Sequence, residues 1–259
     1  MKKQIVVEKM NGDNEPYNPK KIVNSLKRVG ANDQDIDEIL DKVDGKLYEG
    51  IKTKELFRFI HDELKNIHQG VCCRYNLKKS MIDLRIDGGF VFEKFMGEIL
   101  KKLRYKTELN KVIEGKFIPH EIDILAKKEN EILMVEAKHH GKPWLGESIH
   151  TALYVYARFL DLNKKVTKPM LVTNTKFSPQ VKKYSRGVGI RLMGWKYPEG
   201  NSLEDNIEKY GMYPISVLEL EKNELDSYFE KGILTLDQLR KEDISDKLKE
   251  KIDLVLDGK

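Results

Sequence analysis

Apolar and polar residues change their period several times along the chain, and each change predicts an element. Ile5-Val6-Val7 reads as a short strand, Asn11-Gly12-Asp13 as a tight turn, and Asn18-Pro19 as a helix start with an Asn cap and Pro at the first helical position. Ile22, Val23, Leu26 and Val29 then recur at helical spacing as far as Gly30. Ile36, Ile39, Leu40 and Val43 predict a second helix, and Leu56, Phe57, Ile60 and Leu64 a third. A helical tail is expected from Val71 to Leu84. Residues 1–85 therefore predict a small α-rich domain with a short sheet at its start.

Phe92, Phe95 or Met96, Ile99 and Leu103 mark another helix. His120 to Lys138, HEIDILAKKENEILMVEAK, then carries two alternating runs around the polar turn Lys127-Lys128-Glu129-Asn130, which predicts a hairpin. Side chains alternate across a strand, so Ile122 and Ile124 share one face and Glu121 and Asp123 the other. In the second run Leu133, Val135 and Ala137 point one way, and Ile132, Met134, Glu136 and Lys138 the other. A helix with Ile149, Leu153, Tyr156 or Ala157, and Leu160 facing inward follows, then a strand at Met170 to Thr173. Beyond Tyr197-Pro198-Glu199-Gly200 the spacing of Leu225, Tyr228-Phe229, Leu236, Leu239, Leu248, Ile252 and Val255-Leu256 predicts three short helices, one of them capped by Thr235. Residues 201–259 are expected to form a separate helical module.

The hairpin brings two carboxylates and an amine to one end of an otherwise apolar element. Burying unpartnered charge is costly, so such a trio is either exposed or employed. Metal-assisted phosphodiester hydrolysis suits it. Asp123 and Glu136 supply the hard oxygen ligands that magnesium or manganese prefers, and Lys138 stands where it can stabilise developing negative charge or orient the attacking water. The alternative is a surface hairpin with an ordinary Glu/Lys pair. Of the adjacent His139 and His140, at most one faces the same site. Arg158 is a candidate phosphate contact, or else the partner of Asp161 or Glu147 in a salt bridge.

Asp123 followed by Glu136-Ala137-Lys138 resembles the PD-(D/E)xK signature as Mrr-type restriction endonucleases carry it, and the resemblance runs over about residues 86 to 197. Gly88-Gly89-Phe90-Val91-Phe92-Glu93 is similar to the start of that family's first helix, which implies that Glu93 completes the catalytic set. Leu171 to Ser178 is similar to the family's next strand and turn, and Val188 to Met193 to the strand after it. The Pro of the motif is not beside Asp123, where Ile122 stands, and Pro119 lies four residues before Asp123. The resemblance implies an α/β restriction-endonuclease-like α/β/α core with a mixed sheet. At the chain's start, Val7-Glu8-Lys9-Met10-Asn11-Gly12, Tyr17 and Lys20-Lys21-Ile22 resemble the ATP-cone, a nucleotide-binding regulatory domain, and Arg74-Tyr75-Asn76-Leu77 resembles its end. That implies ATP or dATP bound as a signal at Val7, Lys9, Asn11, Gly12 and Lys21, with Met10 standing where the family often has Arg. Physically, a strand-turn-helix that gathers Lys9, Lys21 and turn amides also makes a small cradle for a triphosphate.

Charge sharpens this picture more than composition does. The net charge of the 259 residues is +5, yet residues 86–200 carry 21 Lys and Arg against 13 Asp and Glu, whereas residues 201–259 carry 9 against 15. The excess positive charge surrounds the carboxylates, as a polyanionic substrate requires. The two cysteines, Cys72 and Cys73, are adjacent and lack zinc-site spacing, so they read as reduced core thiols. No run has the length of a membrane span, no apolar signal core follows the opening lysines, and no G-x-x-x-x-G-K-[ST] loop is present, which excludes an ATP-driven motor and points to the cytoplasm. The sequence thus predicts a metal-dependent DNA endonuclease, an ATP-cone over residues 1–85, a nuclease domain over 86–200 and a helix-hairpin-helix-like module over 201–259. DNA, a nucleotide effector and further copies of the chain are its expected partners. The rival is a catalytically lapsed, nucleotide-responsive nucleic-acid-binding regulator.

Overall fold

The computed structural model describes residues 5–84 and 90–257; Gly88 and Gly89 of the motif above lie outside that range. By contact the chain forms two compact units. One holds residues 1–78, 217–219 and 240–259, the other residues 79–216 and 220–239. The residues expected to make a third module are thus divided between the two.

In the first unit β1 (Val6–Glu8) pairs antiparallel with β2 (Asn14–Pro16) and parallel with β3 (Ile51–Lys52). Gly12 makes the β1–β2 turn possible, because its φ of +87° is open to glycine at little cost. Helix α1 (Pro19–Arg28) starts as its sequence requires: the Asn18 side chain accepts the Lys20 N–H, and Pro19 occupies the first turn. Helices α2 (Asp33–Asp44) and α3 (Thr53–Ile67) complete the layer over the sheet. Leu26, Ile39, Val43, Ile60 and Leu64 are buried in one cluster with Val7 and Ile51. The expected tail is interrupted. Helix α4 (Gln69–Tyr75) ends at Asn76, and only a single turn, α5 (Leu77–Ser80), follows.

The acidic C-terminal helix α12 (Asp246–Leu256) packs on α4. Gly70 allows the approach, since a Cβ there would meet the Leu254 carbonyl oxygen at 2.1 Å. Buried Arg74 donates through Nη1 to the Val255 carbonyl at 3.0 Å and through Nε to the Val29 carbonyl at 2.7 Å. It thereby satisfies a carbonyl that the end of α12 would leave bare. The apolar stripe of α12 is therefore core of this unit.

The second unit is built on a five-stranded sheet in the order β10-β8-β6-β5-β4. Its elements run α6 (Phe90–Lys102), β4 (Lys106–Glu114), β5 (Pro119–Lys128), β6 (Glu131–Lys138), β7 (Gly146–Glu147), α7 (Ile149–Asp161), β8 (Lys168–Thr173), β9 (Lys176–Phe177), α8 (Pro179–Val188) and β10 (Arg191–Met193). β4, β5 and β6 are antiparallel neighbours, while β6, β8 and β10 run parallel, as the crossovers through α7 and α8 demand. The sheet is mixed, with α6 against β4, β5 and β6 and with α7 and α8 packed over the Leu125, Met134 and Leu171 side chains. The architecture is the α/β/α core of restriction endonucleases. α9 (Leu203–Tyr210), with a full capping box from Ser202 and Asp205, leads on to α10 (Lys222–Glu230) and α11 (Leu236–Leu239).

Two expected details are corrected. Val188 closes α8, the helix stops at Gly189 in the left-handed region (φ +82°), and the strand begins only at Arg191. In α7 the inward residues are Ala152, Val155 and Arg158, with Ile149, Tyr156 and Phe159 half-buried beside them, whereas Leu153 and Leu160 are 44% and 59% exposed. The helix is apolar nearly all round, so periodicity alone does not select its buried face.

Candidate active site

The site lies at the end of the β5–β6 hairpin. Regular rungs between these strands reach Ile124–Val135, and β4 pairs with β5 at Leu109–Ile124 and again at Lys111–Ile122. At the intervening position Asn110 takes φ +49°, a region Asn tolerates better than most residues. Ile122 and Leu125, three residues apart, both join the cluster under α7, so strict alternation breaks at Asp123. Where the ladder lapses, the Asp123 side chain takes its place: Oδ2 accepts the Ala137 N–H at 2.8 Å. A strand pattern with unbroken alternation does not foresee this substitution of side chain for backbone.

Glu136 is only 4% exposed. Its Oε1 is 2.6 Å from Lys138 Nζ, and its Oε2 is paired with the buried guanidinium of Arg158, which also donates to the Glu121 carbonyl. Arg158 thus pairs with neither Asp161 nor Glu147 but with the Glu of the motif. An arginine on the buried face of an apolar helix needs an anion, but that Arg158 lies on the buried face is known only from the fold.

Electrostatics ties Glu93 to the same place. Burial first, then the negative charges of Asp123 and Glu136, push its carboxyl up to about 7. Burial and Glu136 likewise push Asp123 up to about 6, against the pull of the Ala137 N–H, Lys138 and Arg158. For Lys138 burial acts downward, but the bond to Glu136 and the charges of Glu136, Asp123 and Glu147 outweigh it, so its pKa is raised. Three carboxylates share a space with two cations.

The loop after β6 is held by Asn174, which the sequence reading did not single out, and by the two histidines. Asn174 accepts the His140 N–H at 2.8 Å and donates to its carbonyl at 2.9 Å. His139 Nε2 donates to the Met81 carbonyl at 2.8 Å and its ring lies against Phe92, while His140 pairs with the buried carboxylate of Glu147. The two histidines go to separate partners, as adjacent residues must. For Glu147, burial raises the pKa, but bonds from His140 and Thr151 prevail and hold it low.

Among the described residues no group of three or more His, Cys, Asp or Glu side chains is gathered closely enough to hold a metal ion. The donor chemistry nonetheless fits a magnesium-type ion. Asp123 and Glu136 are hard oxygen donors, magnesium is commonly held by one or two carboxylates with water completing its shell, and burial followed by like charge holds the Asp123 and Glu93 carboxyl groups above their ordinary range.

The nucleotide-site residues of the first unit are only partly gathered. Lys9 and Lys21 each approach Glu15 at 2.7 Å, one on each carboxylate oxygen. Val7 and Lys21 line a groove of about 220 Å³ with Tyr17, Asn18 and Tyr75, although Val7 itself is 4% exposed and belongs to the core. Lys9, Asn11 and Gly12 are outside that lining, and the Asn11 amide is bonded to Asp13 at 2.6 Å.

A mixed sheet with D-x₁₂-E-x-K carboxylates and lysine on adjacent central strands defines a restriction-endonuclease-like nuclease domain, and comparison agrees. The ATP cone domain family matches residues 5–81, and the restriction endonuclease family Mrr_cat matches residues 86–196. The chain therefore joins an ATP-cone to an Mrr-type restriction endonuclease domain. An uncharacterized protein of Archaeoglobus fulgidus is 39% identical over 140 residues, 54% of this chain and 80% of that protein. The crystal structure of the protein of unknown function AF1548 aligns with a TM-score of 0.53 at 32% identity, over 65% of this chain and 95% of that one. MspJI restriction endonuclease in complex with a 27-mer oligonucleotide gives a TM-score of 0.36 at 11% identity, over 60% and 39% of the two chains. No described helix is long and apolar enough to cross a membrane.

Proposed function

We propose that the chain is a metal-dependent DNA endonuclease whose activity responds to ATP or dATP bound by the ATP-cone. The observation that carries this reading is that Glu93, Asp123, Glu136 and Lys138 act on one another, with the Glu93 and Asp123 carboxyl groups pushed upward by burial and then by neighbouring negative charge. Asp123 and Glu136 would hold a magnesium or manganese ion. Such an ion supplies Lewis acidity toward a phosphate oxygen and lowers the pKa of water.

The chain's own residues do the rest. The Ala137 N–H fixes the orientation of Asp123, and Arg158 and Lys138 each hold one oxygen of the buried Glu136 carboxyl group. Lys138 is half-exposed and protonated, so it can meet a phosphate oxygen as negative charge develops there. Glu93, near neutrality in its proton affinity, is suited to accept a proton from the attacking water. Lysines on the surrounding basic surface hold the polyanion. Binding of a triphosphate at Lys9 and Lys21 supplies the signal, and coupling between the two sites is the regulation proposed.

One observation favours a catalytically lapsed nucleic-acid-binding regulator instead. Both oxygens of Glu136 are engaged by cations of the protein, and an ion must compete with them. One assay separates the readings. Plasmid is incubated with the protein and magnesium or manganese, with and without ATP or dATP, beside Asp123→Ala and Lys138→Ala. Metal-dependent nicking that both variants lose establishes the nuclease; nicking unchanged in Asp123→Ala sinks it. Nicking indifferent to nucleotide removes the regulatory half.

A further inference from the structure

The turn between β4 and β5 ends in two of the most exposed large apolar side chains of the unit, Phe117 at 78% and Ile118 at 59%. This tip is rigidly built. The Asp161 carboxylate, at the end of α7, accepts the Phe117 N–H at 3.0 Å, the Ile118 N–H at 3.3 Å and a bond with His120 Nε2 at 2.7 Å. The Lys116 N–H donates to the Asp161 carbonyl at 2.7 Å, and Gly115 closes the turn onto the Ile118 carbonyl at 2.8 Å. Gly115 is required there, because a Cβ would lie 2.0 Å from Asp161 Oδ2. An apolar tip locked in position and left in water is what a pre-organised binding surface looks like.

Facing the tip is the outward side of α7, where Tyr154 is 55% and Leu160 59% exposed. Between them runs a groove of about 780 Å³, floored by Ala157 and Arg158. Each aromatic ring has a cation beside it: Lys116 Nζ is 4.8 Å from the Phe117 ring centre, and Arg158 Cζ is 5.1 Å from that of Tyr154. Arg158 is also the partner of Glu136, so the groove and the carboxylate site share a wall. The negative charge of Asp161 is turned inward to His120 and the two amides, which leaves Glu121 as the acidic group at the groove's edge.

We propose that this groove holds an unpaired nucleobase of the strand being cut, next to the scissile phosphate, so that the site acts on single-stranded or frayed nucleic acid. Exposed aromatic rings with adjacent cations are the elements from which single-strand binding surfaces are made, the rings stacking on bases and the cations holding the backbone. The volume is that of a small-ligand site, ample for one base and its sugar. A base inside a duplex stays stacked on its neighbours and cannot enter. The proposal rests on the nuclease reading for the position of the scissile phosphate.

The test measures fluorescence anisotropy of a labelled single-stranded DNA oligonucleotide and of the matching blunt duplex, with Ca²⁺ present, for the full chain and for Phe117→Ala, Tyr154→Ala and the double variant. All three truncate exposed side chains, and circular dichroism confirms that they fold. Each single variant is expected to weaken single-strand binding about 10-fold, the size of one lost base–aromatic stack, and duplex binding by less than about 2-fold. Sedimentation of the same proteins distinguishes a second copy of the chain as occupant: a dimer that the double variant dissolves, with DNA affinity unchanged, overturns the proposal. So does single-strand affinity equal to wild type, or wild-type protein that binds no single strand. Nicking assays beside Asp123→Ala keep the two readings apart. Nicking that Asp123→Ala loses while the aromatic variants bind and cut single strands normally leaves the nuclease standing and the groove refuted. Weakened single-strand binding in a protein that nicks nothing leaves the groove standing and refutes the nuclease.

Discussion

In the nuclease unit three carboxylates face two cations around a buried Glu136, whereas in the ATP-cone unit two lysines face one carboxylate at the surface. The consequences run in opposite directions. Glu93 and Asp123 are pushed upward because burial and like charge both disfavour ionisation. Glu15 is pulled downward, first by its bond to Lys21 and then by its bond to Lys9, with burial only a minor opposing effect. The first arrangement has one more carboxylate than cations, the balance that the proposed metal ion would correct. The second has one more cation than carboxylates, the balance that the proposed triphosphate would correct. Exposure sets the scale: screening by water keeps the lysine cradle cheap to rearrange, and its absence makes every change at Glu136 expensive.

The strongest way to break this contrast is Arg158→Ala. It leaves one oxygen of Glu136 buried without its partner, and the expected loss of stability is about 3 kcal/mol. Both tryptophans of the chain, Trp144 and Trp195, lie in the nuclease unit, so their fluorescence during urea unfolding reports that unit alone. A variant as stable as wild type would mean that Glu136 is not confined as described. The next effect has the opposite sign. Asp123→Asn keeps an oxygen for the Ala137 N–H but removes a charge that the fold raises in pKa from 3.8 to about 6. An ionised carboxylate of this kind opposes folding above that pKa, so at pH 7 without divalent metal the variant is expected to gain on the order of 2 kcal/mol. Added magnesium should stabilise wild type and leave the variant unmoved; equal responses would deny Asp123 a share in the ion.

At the cradle the effects shrink. Lys21→Met should weaken ATP or dATP binding about 10-fold, the usual weight of one charge-assisted hydrogen bond, as read by titration calorimetry on the full chain. Asn11→Ala should change it by less than about 2-fold, because that amide is bonded to Asp13 and lies outside the groove. Reversal of this order would place the nucleotide on the turn rather than in the groove beside α1.

How much of this was legible in the sequence follows the same line between local and long-range causes. The Asn18 cap, the Gly12 turn and the β5–β6 hairpin are written in neighbouring residues and stand where their spacing puts them, whereas the break in alternation at Asp123 is not. The edge strand β4 was not foreseen, since most of its residues are exposed and it lacks an apolar run. The face of α7 was misjudged because leucines line its outer side, and Arg158 found Glu136 rather than Asp161 or Glu147 across 22 positions of sequence. The C-terminal stripe pattern was right as helix, but only the Gly70 contact and the Arg74 bonds reveal which core α12 completes.

The smallest expected effect is the most exacting test of the contrast, because it asks the exposed site to behave as exposed. Glu15 has a depressed pKa in the folded protein, so its contribution to stability is present above the ordinary carboxylate range and is lost as pH falls through the depressed value. Glu15→Gln should therefore cost well under about 1 kcal/mol at pH 7 and nothing in strong acid, with the difference between variant and wild type vanishing over the acid side of pH 4.5. Raising salt should erase it as well, since both lysines are open to solvent. Far-UV circular dichroism melts at several pH values and two salt concentrations give the answer. A cost of several kcal/mol that salt does not touch would show Glu15 to be a buried charge like Glu136, and the distinction between the two regions would fail.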